Sequence, residues 1–210
     1  MEEQPSADKE KEQQELKPVA TPVMAAGFTA NALTLLKEKL APFSLVPYGV
    51  GTVPGGISST PLQPGSAVGV ELVRGDVSLG ALGTVTYVEG DKVLAFGHPF
   101  LKKGQANYFM TNAHVFTTLA GLENAFKVGV TGEAVGMISQ DRGAGVGGLT
   151  GRYPTIIPVR ILVKDNSTGA SRDAAVQVIQ DDQLSPILAA ATVFNVIDKT
   201  LDRAGSGTAR

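Results

Sequence analysis

Gly83-Thr84-Val85-Thr86-Tyr87-Val88, then Glu89-Gly90-Asp91, then Lys92-Val93-Leu94-Ala95-Phe96 and Gly97-His98-Pro99 form the stretch whose reading decides the fold. Two short runs rich in β-branched and aromatic residues flank a Glu-Gly-Asp turn, which is the pattern of a β-hairpin. Outward from this hairpin, similar β-branched runs broken by glycine predict strands at Ala67–Val73, Gly83–Val88, Lys92–Phe96, Val128–Ile138, Ile156–Lys164 and Ala174–Ile179. In the run from Ile157, residues Ile157, Val159, Ile161 and Val163 share one face while Arg160 and Lys164 occupy the other, as in a half-buried strand. Asp165-Asn166-Ser167-Thr168-Gly169 is a longer turn joining that strand to the next.

About three helices accompany the strands. Thr29 is placed to cap the first, Phe28 and Leu33 stand at the spacing of a hydrophobic staple, and Pro42 stops it after Leu40. A second is expected over Asn112–Phe126, where Val115, Leu119, Leu122 and Phe126 fall on one helical stripe. A third opens at Ser185-Pro186 and runs to about Ala204, with Gly205 as its stop. Residues 1–17, dominated by Glu, Gln and Lys, read as a disordered leader. Residues 18–64 supply the first helix and an irregular connection through Val53-Pro54-Gly55-Gly56, 65–204 form the β-rich domain, and 205–210 are a truncated-looking tail.

Composition narrows the function. The 210 residues include 25 Gly and 12 Pro but only 6% aromatics and no Trp, which suits many tight turns between short elements. The 43% hydrophobic content supports a folded core. A net charge of -2 with scattered Lys and Arg gives no electrostatic footprint for nucleic acid or an anionic membrane. Zero Cys excludes disulfides, thiolate metal sites and a Cys nucleophile, and with two His no metal or other cofactor is expected. No apolar run approaching a membrane span is expected, so membrane insertion is not expected either.

The hairpin ending in Gly97-His98, the Gly69–Gly80 segment before it, and the later Ser139-Gln140-Asp141-Arg142-Gly143-Ala144-Gly145-Val146-Gly147-Gly148 run resemble the SpoIVB-type serine peptidase family over roughly residues 65 to 165. The resemblance implies a mainly β, barrel-like and chymotrypsin-like fold, a bacterial cell-envelope or exported setting, and His98 as general base with Asp141 as its orienting carboxylate. Family peptidases also carry a Gly-Met-Ser-Gly-Ser-Pro loop that supplies the nucleophile and part of the oxyanion hole. No such string occurs here. The nearest imitation, Ala204-Gly205-Ser206-Gly207-Thr208, lacks a following strand to back an oxyanion hole.

The other motifs weigh less. Met110-Thr111-Asn112-Ala113-His114-Val115 is similar to the histidine motif of HtrA-type proteases, but the Asp strand and Gly-Asn-Ser-Gly-Gly loop of those enzymes are missing, so His114 is read as a coincidence. Gly143–Gly151 lacks the Gly-Lys-Ser/Thr ending of a phosphate loop. Asp141 beside Arg142 is read as pinning its glycine loop, and His98 as a strand-end group bonding to backbone and ordering Phe100 and Leu101. The expected function is a catalytically silent SpoIVB-peptidase-like domain acting as a structural or protein-binding module. The alternative is an active serine endopeptidase whose nucleophile loop lies outside this chain, with His98 as general base.

Overall fold

A computed structural model describes residues 20–52, 60–120, 125–203 and 205. The expected leader over 1–17, the Val53-Pro54-Gly55-Gly56 segment, Leu122 and Ser206 lie outside the described residues. Among the described residues ten strands form one sheet, accompanied by two α-helices. In chain order these are β1 (Thr21–Ala26), α1 (Ala30–Leu40), β2 (Leu45–Val50), β3 (Ala67–Gly75), β4 (Ser78–Glu89) and β5 (Lys92–Ala95). Then come β6 (Gly104–Leu119), β7 (Phe126–Arg142), β8 (Gly145–Thr150), β9 (Ile156–Lys164), β10 (Ser171–Ile179) and α2 (Leu184–Leu201).

The neighbour order is β2-β1-β4-β5-β8-β7-β6-β3-β10-β9, with β3 also paired to β4. The path β4-β5-β8-β7-β6-β3 therefore returns to β4 through hydrogen bonds at every step. The hairpin that opened the sequence reading is present: Glu89 pairs with Lys92, and the two-residue turn between them has Gly90 at φ 61°, a left-handed conformation that glycine adopts without a Cβ penalty. The stretch read as an irregular connection holds β2, which runs parallel to β1 and places both in the main sheet through the β1–β4 pairing.

The expected helix over Asn112–Phe126 is not formed. Asn112–Leu119 continue β6 and Phe126 begins β7, with His114 opposite Val130, Val115 opposite Gly129 and Leu119 opposite Phe126. Val115, Thr117 and Thr118 are β-branched, and Leu119 is 48% exposed, so the apparent helical stripe has nothing to bury against. The antiparallel ladder with β7 pairs these residues along one edge without the nucleation cost that an isolated helix would bear. The glycine run after Arg142 likewise is no loop: Gly145–Thr150 form β8 between β5 and β7.

Thr29 does cap α1, accepting a hydrogen bond from Ala32 N at 3.2 Å. The cap of α2 differs from the expected one. The Asp181 carboxylate accepts from Gln183 N and Leu184 N, while Ser185 sits inside the helix and donates its hydroxyl to Ile179 O at 2.7 Å. Helix α2 ends at Leu201, short of the expected Ala204, because Asp202 turns into the left-handed region. By length and composition it could cross a membrane, with mean hydropathy 1.2, and its buried face includes Leu184, Leu188, Ala191 and Val196. Asn195 of α2 accepts from Thr29 N at 2.8 Å and donates to Gly27 O at 3.1 Å, fixing the helix against the start of α1.

The core runs through the sheet: Leu36 and Leu40 of α1, Val70 and Leu72 of β3, Leu79 of β4, Met110 of β6, Ile138 of β7 and Leu188 of α2 are all at or near zero exposure. Each such side chain contributes about 1.5–3 kcal/mol by leaving water.

Candidate functional site

The end of β5 leads into a loop over Phe96–Lys103, of which Phe96, His98 and Pro99 line a cleft. The cleft has a volume of about 730 Å³. Its walls come from the first residues of β1, from Val46 and Tyr48 of β2, from Ala81–Thr84 of β4, from Phe96, His98 and Pro99, and from Thr118 with Ala125–Lys127 where β6 and β7 meet. The size falls within the range of ligand sites, and the lining is mostly apolar or aromatic with a few polar groups, as such sites require. Tyr48 and Phe126 pack against each other on its wall, with ring centroids 5.3 Å apart and planes tilted by 33°.

The sequence builds this wall through close backbone approach. A Cβ on Gly83 would lie 2.1 Å from the Phe96 ring, so only glycine lets that ring lie flat on β4. Phe96 itself stands at φ 75°, a strained conformation for a bulky residue, and is held there by its N–H donating to Thr84 O at 2.9 Å. Strain of this kind persists only where the surroundings enforce it.

Asp141 supplies the enforcement further along the loop. It stands near the end of β7, fully buried, and its two oxygens accept separately from Phe100 N at 2.8 Å and Leu101 N at 2.7 Å. The ordering of Phe100 and Leu101 thus belongs to Asp141 and not to the imidazole. His98 is exposed, lines the cleft, and lies 5.6 Å from the Phe96 ring. Its Nδ1 meets the carbonyl of its own neighbour Pro99 at 2.8 Å, an interaction in which the imidazole N–H donates. Among the described residues no carboxylate or hydroxyl is hydrogen-bonded to it. His114 lies apart on β6, exposed and edge-to-face with Phe116 at a centroid distance of 5.5 Å, opposite Val130 and outside the cleft.

Lys127 is a cleft residue that the sequence did not single out. Its ammonium donates to Gly83 O at 3.2 Å and to the Thr84 hydroxyl, and burial pulls its pKa below the usual lysine range. A lone Lys at the start of a strand carries no sequence signal; only the folding of β7 across β4 brings it there. Among the described residues no three of His, Cys, Asp or Glu come together at metal-binding spacing. Compared with protein-family models, curated proteins and solved structures, the chain has no significant match in any of the three.

Proposed function

We propose that this domain is a catalytically silent SpoIVB-peptidase-like module that binds a protein or peptide segment in the cleft beside His98. The observation that carries the reading is a large, mainly apolar cleft whose histidine bonds only to backbone, while the buried Asp141 that would have to orient it has both oxygens taken by the amides of Phe100 and Leu101. A general base needs a nucleophile within hydrogen-bond reach and an orienting partner, and neither touches His98 among the described residues. The strand circuit β4-β5-β8-β7-β6-β3 is read here as a closed barrel of the chymotrypsin type, with α2, β9 and β10 outside it. A bacterial cell-envelope setting follows from the family resemblance.

Tyr48 and Phe126 are suited to anchor an apolar side chain of the bound segment, since aromatic pairs at a pocket wall supply large contact area at small entropic cost. Screening a library of extended apolar and proline-containing peptides against the chain tests this. Binders should lose at least tenfold in affinity on Tyr48→Ser, a change at a side chain that is 42% exposed. Binders indifferent to Tyr48→Ser would place recognition elsewhere and refute the cleft.

The position of His98 on the cleft wall favours one rival, an active serine endopeptidase completed by a serine outside the described residues. A fluorophosphonate probe separates the two, because it labels only a hydroxyl activated by a base beside an oxyanion hole. The chain should remain unlabelled. Stoichiometric labelling that disappears in His98→Ala would establish the peptidase.

A further inference from the structure

Glu71 stands in the middle of β3, opposite Gly80 of β4 and Phe109 of β6, and is only 2% exposed. Thr131 of β7 donates its hydroxyl to Oε1. Oε2 has no hydrogen-bond partner among the described residues. Glu71 lines a pocket of about 210 Å³, room for a handful of non-hydrogen atoms, that shares no lining residue with the cleft beside His98. The nearest cation, Arg74, lies 4.0 Å from Oε2, outside hydrogen-bond reach, and its guanidinium is drawn over the Phe109 ring at 5.6 Å. Its other nitrogen is 3.8 Å from Glu133, whose side chain is 62% exposed at the rim.

A buried carboxylate with an empty acceptor in the wall of a cavity calls for a donor. Two carboxylates against one guanidinium leave the pocket net negative when both are ionised. A divalent cation would need six or more oxygen ligands, and each carboxylate here already has a guanidinium within 4.0 Å. A primary ammonium fits better, with three donors to share between Glu71 and Glu133 and a body small enough for the cavity. We infer that this pocket binds the primary ammonium group of a small amine or of a peptide, with Glu71 Oε2 as the buried acceptor and Glu133 as the rim carboxylate.

The site should respond to pH. Burial pushes the Glu71 carboxyl up to about 7, against the Thr131 hydrogen bond and Arg74, with Glu133 adding to the rise. The facing groups are Arg74 from β3 itself and Thr131 and Glu133 from β7, while β4 and β6 present Gly80 and Phe109. Between about pH 6 and about pH 8 the ionised fraction of such a group rises from about one tenth to about nine tenths, so ammonium affinity should tighten by up to about tenfold.

The test is an amide-resolved NMR titration of the whole chain with n-butylammonium and, separately, with glycinamide. Saturable shifts at Gly75 and at Val130–Gly132 with either probe support the proposal, and the tighter probe names the source as an ω-amine or a peptide amino terminus. Glu71→Gln should abolish binding. Glu133→Gln, a change at an exposed side chain that leaves the fold intact, should weaken it several-fold. Absence of saturable shifts at these amides in the wild type, or binding of acetate or calcium in place of the amines, would each overturn the assignment.

Discussion

Replacing Asp141 by Asn exchanges one oxygen for an amide nitrogen and removes the charge at nearly constant shape, which makes it the sharpest probe of the loop that carries His98. In the native protein both carboxylate oxygens are engaged, Oδ1 by Phe100 N at 2.8 Å and Oδ2 by Leu101 N at 2.7 Å, in a site with no exposure to water. An asparagine can accept only one of the two. The retained bond falls from charge-assisted to neutral, a loss of about 1 kcal/mol, and the other amide is left facing an NH₂ donor, a further 1–3 kcal/mol or so. The total is about 3 kcal/mol. For a chain of this size that corresponds to a fall in Tm of roughly 6–12 °C, readable by calorimetry or by the midpoint of a urea titration. The cleft beside His98 should also loosen, because Phe96, His98 and Pro99 form part of its wall. A fall of less than about 2 °C would show that the loop is held by something other than this carboxylate.

His98→Ala removes an exposed ring bonded only to the adjacent carbonyl, so its cost should stay under about 1 kcal/mol; a loss of 2 kcal/mol or more in a urea titration would contradict the geometry. Gly83→Ala places a methyl group 2.1 Å from the Phe96 ring, and it should cost about 1–3 kcal/mol while narrowing the cleft, as peptide titration and calorimetry together would record. Glu71 governs a pH dependence of stability. Its folded pKa of about 7 stands above the unfolded value of 4.5, so the native state holds the extra proton between those values and stability falls as pH rises through that window, by up to about 3 kcal/mol. Urea titrations at several pH values should show that slope in the wild type and not in Glu71→Gln, which should be the more stable protein at about pH 8.

Local chemistry made part of this molecule legible from its sequence. Gly90-Asp91 between two β-branched runs permits little but a tight turn, Thr29 ahead of Ala30–Leu40 can cap a helix without distant help, and the alternation over Ile156–Lys164 marks a strand whose bounds match the observed ones. Tertiary structure decided the rest. Asn112–Leu119 carry a spacing compatible with a helix, and only the ladder offered by β7 makes them a strand. Glu71 sits in a run where alternation would turn it toward solvent, yet every residue from Val68 to Val73 is buried, because β7 crosses the face that a simple two-layer sheet would leave wet. Asp141 and the loop through Phe100 and Leu101 are about forty residues apart in the chain, so no local pattern could announce that the carboxylate caps those amides. Turns and caps are settled by neighbours within a few residues; buried carboxylates, clefts and the choice between helix and strand are settled by which distant segments supply donors, cover and partners.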